Sequence, residues 1–357
     1  TDGIAQVTQH YDGVGSGDGV GPVSRLLDRT LGGLFGRGLM ATVAEAYQFL
    51  AFNYAPGDEI YLFGFSRGAF TARTLAGLIR NCAIPAGERA HEIGDALALY
   101  KKRGPEAHPD AAAACAFRAK FAPHLTVSAA DASWRRGEGR AEGHALRLAY
   151  IGVWDTVGAL GIPAQFSWSS LVNRGVQFHD TRLSRGVRSA RHALAIDERR
   201  KMFQPSLWDN LDELNSDHDG PTVHEQRWFP GDHSGVGGGS EPLLSNDALL
   251  WVAEGAMSQG LALDDRALEA WRGQRNCVAP IPKPGGALSK ILGLSCADRS
   301  GPNALSHLSS SAVARWRADT DWRPGALEGV SRELDQLTGR SATPRGSTSL
   351  RARPGYA

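Results

Sequence analysis

Apolar residues recur along the chain with two different periods. In "GLMATVAEAYQFLAFNY", Leu39, Val43, Tyr47 and Leu50 fall three to four apart, which predicts a helix with one apolar face. "APGDEI" breaks that helix and starts a strand from Glu59 to Phe63. "RGAFTARTLAGLIR" follows as a helix, with Phe70, Leu75, Leu78 and Ile79 on its apolar side. Upstream, "IAQVTQHYDGVGSGDGVG" opens with alternation at Ile4 and Val7 and reads as a strand running into a glycine-rich turn. "ALRLAYIGVWDTVGALGIP" is a second clear strand and ends at an aspartate followed by glycine. "HEQRWFPGDHSGVGGG" is a third, shorter one, and ends at a histidine before a glycine run. "LSNDALLWVAEGAMSQG" then reads as a helix capped by Ser245 or Asn246. Strands alternating with helices predict an α/β fold, a mostly parallel central sheet with helices on both faces.

The remaining segments set the domain plan. Residues about 85–145 are alanine-rich and charged and are expected to be helical insertions, either a cap over a site or peripheral helices. A catalytic domain is expected over 1–262, and a C-terminal extension packed on it over 263–334. Residues 335–357 carry arginine, serine and proline and are expected to form a disordered, mildly basic tail.

Composition narrows the functional classes. The 357 residues are 42% hydrophobic and 22% charged, ordinary for a globular protein. A net charge of +1 argues against an overall nucleic-acid footprint. Cys82, Cys115, Cys277 and Cys296 are far apart with no C-x-x-C pair, so neither a zinc site nor a disulfide framework is expected. No metal and no cofactor is expected. The chain opens at Thr1 without a signal-peptide pattern, as expected of a piece of a longer protein. No apolar run is long enough to predict a membrane-spanning helix.

The chemistry concentrates at strand ends. "YLFGFSRGAF" contains G-x-S-x-G, with Gly64, Ser66 and Gly68, between a strand and a helix. A corner that sharp is expected to leave no room for a Cβ two residues before or after it, and it presents the serine hydroxyl. With Asp155 and His233 at the other two strand ends, the order Ser, Asp, His is that of α/β-hydrolases. Loops leaving the C-terminal ends of parallel strands converge on one crevice, where such residues can meet. His233 is the expected base, Asp155 its orienting partner, and the Arg67 backbone N–H an oxyanion donor. Competing pairs are His179 with Asp180, adjacent and divergent, and His192 with Asp197, expected on an ion-paired helix. The glycines after Tyr11 do not match G-x-G-x-x-G, so a dinucleotide loop is not favoured over a plain turn.

Four blocks, "GDEIYLFGFSRGAFTARTLAGLI", "YIGVWDTVGALGIP", "FHDTRLSRGVRSARHALAIDERRKMFQPSLW" and "WFPGDHSGVGGG", together resemble the type VI secretion Tle1-like phospholipase catalytic domain over about residues 5–260. The resemblance implies an α/β-hydrolase fold and a triad of Ser66, Asp155 and His233. It also implies hydrolysis of phospholipid acyl esters by an antibacterial lipase effector. Such an effector is made in the cytoplasm, exported without a cleavable signal and acts on target-cell membranes. Its expected partners are a phospholipid substrate, a secretion-spike carrier and an immunity protein, with peripheral membrane contact and no nucleic acid. Family members usually begin with a strand ending in Asp-Gly-Thr. Here Asp2-Gly3 is followed by Ile4, so the first strand is expected to be missing. The alternatives are a soluble carboxylesterase or acyltransferase, and a weakly catalytic, hydrolase-like binding module.

Overall fold

In the computed structural model, residues 5–11, 32–102, 104–157, 181–216, 223–239, 242–281 and 296–339 are described. Helix α1 (Gly32–Asn53) leads into strand β1 (Ile60–Phe65), which turns directly into helix α2 (Arg67–Cys82). Leu39, Val43 and Tyr47 are enclosed and Leu50 packs half-buried beside them, as the helical spacing requires. The insertion holds α3 (Ile93–Tyr100), α4 (Ala112–Phe121) and α5 (Ala129–Gly137). A short parallel ladder between β2 (Leu125–Thr126) and β3 (His144–Ala145) lies among them.

The sheet continues with β4 (Leu148–Trp154), β5 (Val187–Ala195) and, after the short helix α6 (Leu211–Ser216), β6 (His224–Phe229). The four long strands pair in the order β1-β4-β5-β6, all parallel. Helices cover both faces of this mostly parallel sheet. Val43, Tyr47, Leu75 and Leu78 from α1 and α2 pack with Ile151 and Val153 on one side. On the other, Ala248, Val252 and Ala256 from α8 (Pro242–Met257) pack with Tyr150 and Ala193. Alternate residues of β4 therefore serve opposite layers, and β4 reads as a nearly continuous buried run.

Beyond α9 (Asp265–Gly273), the described chain resumes at residue 296 and forms α10 (Ser310–Ala318) and α11 (Ser331–Leu337). Leu308, Ala312, Trp316, Trp322 and Leu327 from this segment pack with Leu194, Ile196 and Trp228 of the sheet. Ser309 N donates to Trp228 O at 3.0 Å, so the segment is tied to the end of β6.

Four expectations need correction. "RHALAIDERR" is not a helix: residues up to Ala195 belong to β5, a central strand. Its alanines favour a helix locally, but hydrogen bonding to strands on both sides overrides propensity. Residues 5–11 form no strand; Val7 is exposed, and Gln6 instead exchanges two side-chain hydrogen bonds with Ala262. Ser245 and Asn246 lie inside α8 and do not cap it. Asn246 Nδ2 donates to Gln274 O at 2.9 Å, joining α8 to the end of α9. At the C-terminus, Asp335 to Leu337 are the end of α11, while 340–357 lie outside the described residues, as do the glycine loop at 12–31 and the His179–Asp180 pair.

Candidate active site

Ser66, Asp155 and His233 come together at the C-terminal ends of β1, β4 and β6. Each corner is held by backbone bonds that prolong the parallel ladder. Ser66 N donates to Trp154 O at 2.9 Å, and Asp155 N donates to Ala193 O at 2.7 Å. Both residues have positive φ, 57° for Ser66 and 41° for Asp155, a region that costs a non-glycine residue about 1–3 kcal/mol. His233 opens the short helix α7 (His233–Gly237), whose N-cap Asp232 accepts from Gly235 N at 2.7 Å.

The side chains form a continuous line. His233 Nδ1 lies 2.6 Å from Asp155 Oδ2, and His233 Nε2 lies 2.8 Å from Ser66 Oγ. An ionised carboxylate only accepts, so Nδ1–H is the donor and Nε2 is left to accept the serine proton. Asp155 is fully buried, His233 nearly so, and Ser66 is partly exposed. Phe65 and Phe203 lie against the imidazole, ring centroids at 4.6 and 4.8 Å.

The glycines of the elbow differ. A Cβ on Gly64 would sit 2.3 Å from Gly68 O, so the backbone of the following helix forbids it. A Cβ on Gly68 meets nothing within 4 Å, so the expectation of two sterically required glycines is corrected to one. The helix direction explains this: the chain leaving Ser66 folds back over Gly64, while the Gly68 Cα position faces outward. A Cβ on Gly237 would lie 2.2 Å from the Phe65 ring that flanks His233, so a side chain there must displace that ring.

Residues away from the three strand ends complete the site, and Arg299 among them carries no readable signal in the sequence. Arg299, from the segment beyond 296, spans both oxygens of Asp155, with Nη1 donating at 2.6 Å to Oδ1 and Nη2 at 2.8 Å to Oδ2. Ala195 N is a second donor to Asp155 Oδ1, at 3.0 Å. Burial alone would push the Asp155 carboxyl up; the Arg299 guanidinium and the His233 hydrogen bond outweigh it and hold it well below the usual carboxylate range. Glu198 accepts from His233 N at 3.3 Å and pairs with Arg200 at 2.6 Å. Asp197 accepts from Gly231 N at 2.8 Å and from Trp322 Nε1 at 2.8 Å, fixing the turn that carries His233.

The competing pair is separated by roles. His192 sits inside β5, its Nε2 accepting from Thr156 N at 3.1 Å and its Nδ1 3.2 Å from Gln226 Oε1. Burial, with Arg73 nearby, pushes its pKa down to about 3, so it is a neutral strut behind Thr156. Among the described residues, no helix is long and apolar enough to cross a membrane.

A family described as "T6SS, Phospholipase effector Tle1-like, catalytic domain" matches residues 1–255. The chain belongs to this family. It therefore carries a Tle1-like phospholipase catalytic domain, and Ser66, Asp155 and His233 all lie within the matched span, whereas Arg299 lies beyond it. The Tle1-like chain is 29% identical over 210 residues to the uncharacterized protein YEL023C of Saccharomyces cerevisiae, covering 57% of this chain and 27% of the yeast protein. It thus spans about a quarter of that relative's length. A crystal structure of an uncharacterized protein from Pseudomonas aeruginosa aligns over 87% of this chain and 34% of its own, with a TM-score of 0.32 and 19% identity.

Proposed function

We propose that this Tle1-like domain hydrolyses acyl ester bonds of phospholipids, a phospholipase A activity carried by Ser66, His233 and Asp155. The observation that supports it most is the unbroken line from Asp155 Oδ2 through His233 to Ser66 Oγ, at 2.6 and 2.8 Å. A serine hydroxyl becomes nucleophilic when a base within hydrogen-bond reach takes its proton. His233 Nε2 takes that proton as Ser66 Oγ attacks the ester carbonyl carbon. The resulting oxyanion is met by the backbone N–H of Arg67, first residue of α2, at the positive end of the helix. The intermediate collapses, the C–O bond breaks, and His233 returns the proton to the departing lysophospholipid. Water, deprotonated by the same imidazole, then releases the fatty acid from Ser66. Asp155 stabilises the imidazolium in both halves.

Each buried methylene of an acyl chain contributes about 0.8 kcal/mol to binding. As a member of an effector family, the protein would act at target-cell membranes, accompanied by a secretion-spike carrier and an immunity protein. Mass spectrometry of products from phospholipid vesicles tests the reaction. Free fatty acid plus lysophospholipid, absent with Ser66→Ala, is expected. Diacylglycerol or phosphatidic acid would instead indicate cleavage at the phosphate. Hydrolysis of short soluble esters with none of vesicles would indicate a carboxylesterase.

A further inference from the structure

Arg299 stands outside the matched catalytic span, yet its side chain ends inside the site. It is almost wholly buried, and its guanidinium is used for geometry rather than for solvent contact. Two nitrogens grip both oxygens of Asp155. Nη1 also donates to Ala195 O at 2.9 Å, where β5 ends, and Nη2 to Phe203 O, the residue whose ring lies against His233. One planar fork therefore fixes the carboxylate, the strand end beside it and the turn that holds the aromatic wall of the imidazole. A bidentate fork of this kind restricts both distance and plane, which an ammonium cannot do.

The chain around Arg299 is itself anchored. Ala297 N donates to Arg199 O at 2.8 Å, and Arg200 forms an antiparallel bridge with Cys296. Gly301 has φ of 69°, and a Cβ there would lie 1.7 Å from Ala326 O, so the turn after Arg299 is pressed onto the tryptophan-rich cluster. Arg299 is thus delivered from a fixed support.

We propose that Arg299 is a positioning residue of the ester-cleaving site, completing it from the C-terminal segment by setting Asp155 and Phe203 around His233. This rests on the hydrolase reading above. A purely structural clamp would affect stability alone. A positioning residue also changes proton chemistry, since Arg299 is the cation bonded directly to Asp155. Among the described residues, the other charged groups near His233 are Glu198 and Arg200, which pair with each other, Asp232 on its own turn, and Asp197, which holds that turn through Gly231 N; neutral His192 lies behind Thr156. Removing the Arg299 charge lets the Asp155 carboxyl titrate upward, because burial alone raises it. A carboxyl that protonates at higher pH no longer orients the imidazole there, so the acid limb of the rate profile moves upward.

The test compares Arg299→Met and Arg299→Lys in the 357-residue chain, with Arg136→Ala, which breaks an exposed pair with Glu142 in the insertion, as control. Expected for Arg299→Met is a fall in kcat on phospholipid vesicles of about 10²-fold, the loss typical of a catalytic group misplaced by an ångström. KM is unchanged, the acid limb shifts upward, Arg299→Lys recovers part of the rate with a smaller shift, and Arg136→Ala behaves as wild type. The downfield proton resonance of the Asp155–His233 hydrogen bond gives a readout independent of hydrolysis, and it should move in both Arg299 variants. If Arg299→Met fails to fold, Arg299→Lys carries the comparison. A folded Arg299 variant with unchanged kcat, pH profile and proton resonance overturns the proposal. A wild-type protein that hydrolyses no ester, but whose resonance moves on substitution, overturns the hydrolase reading while upholding the positioning.

Discussion

Gly64 and Gly68 look equivalent in G-x-S-x-G, yet the structure separates them. Gly64→Ala drives a Cβ into the carbonyl of Gly68, and overpacking of that kind costs about 1–3 kcal/mol. It also displaces Ser66, so both melting temperature and activity should fall. Gly68→Ala meets open space inside a helix, where alanine is favoured over glycine by roughly 1 kcal/mol. Thermal unfolding should show it equal to or more stable than wild type, and a large loss would contradict this account of the elbow. Asp155 gives a pH prediction. Its folded pKa lies below the unfolded value of about 3.9, so its contribution to stability is present above that pH and is lost as pH falls through the lower folded value. Between pH 8 and 5, Asp155 should add no slope to the unfolding free energy. In Arg299→Met the folded pKa should rise from its depressed value, so the stabilising contribution of Asp155 above the unfolded pKa should shrink and the protein should be less stable at neutral pH.

At the level of elements, the three strands bearing the candidate site were legible and β5, which lies between β4 and β6, was not. β1, β4 and β6 each end in a glycine-rich turn with a reactive side chain, a local signal that survives without neighbours. β5 lacks that signal. "VRSARHALA" is rich in alanine and charge, and only the ladder to β4 and β6 makes it a strand. The N-terminal alternation failed for the opposite reason: residues 5–11 find no strand to pair with among the described residues, and alternation by itself does not hold an extended chain in a sheet. Arg299 was invisible because its partners lie 104 and 144 residues away, at Ala195 and Asp155, and nothing periodic surrounds it. The element holding His233 is testable through Gly237. Gly237→Ala should push the Phe65 ring off the imidazole and lower kcat more than stability, measured by paired kinetics and calorimetry.

For the whole molecule, the segment beyond residue 296 is part of one packed body with the sheet end that carries the site. Trp316 is buried among Leu327, Trp322 and Ala312, and its Nε1 donates to Asp335 at 3.0 Å. Trp316→Ala should destabilise the protein by about 3–5 kcal/mol. Activity and fold should then melt together, since the same cluster supports Arg299 and, through Trp322 and Asp197, the His233 turn. Retention of the site after loss of that cluster would separate the two.

The central claim is that Ser66 is the nucleophile of an ester-cleaving relay. The most direct measurement is exposure of the full chain to a fluorophosphonate at neutral pH, followed by peptide mapping of the adduct. A single phosphonylated residue, Ser66, is expected, with labelling slowed about 10³-fold or more by His233→Ala. Folded protein that takes up no label at Ser66, or takes it up at the same rate without His233, would contradict it.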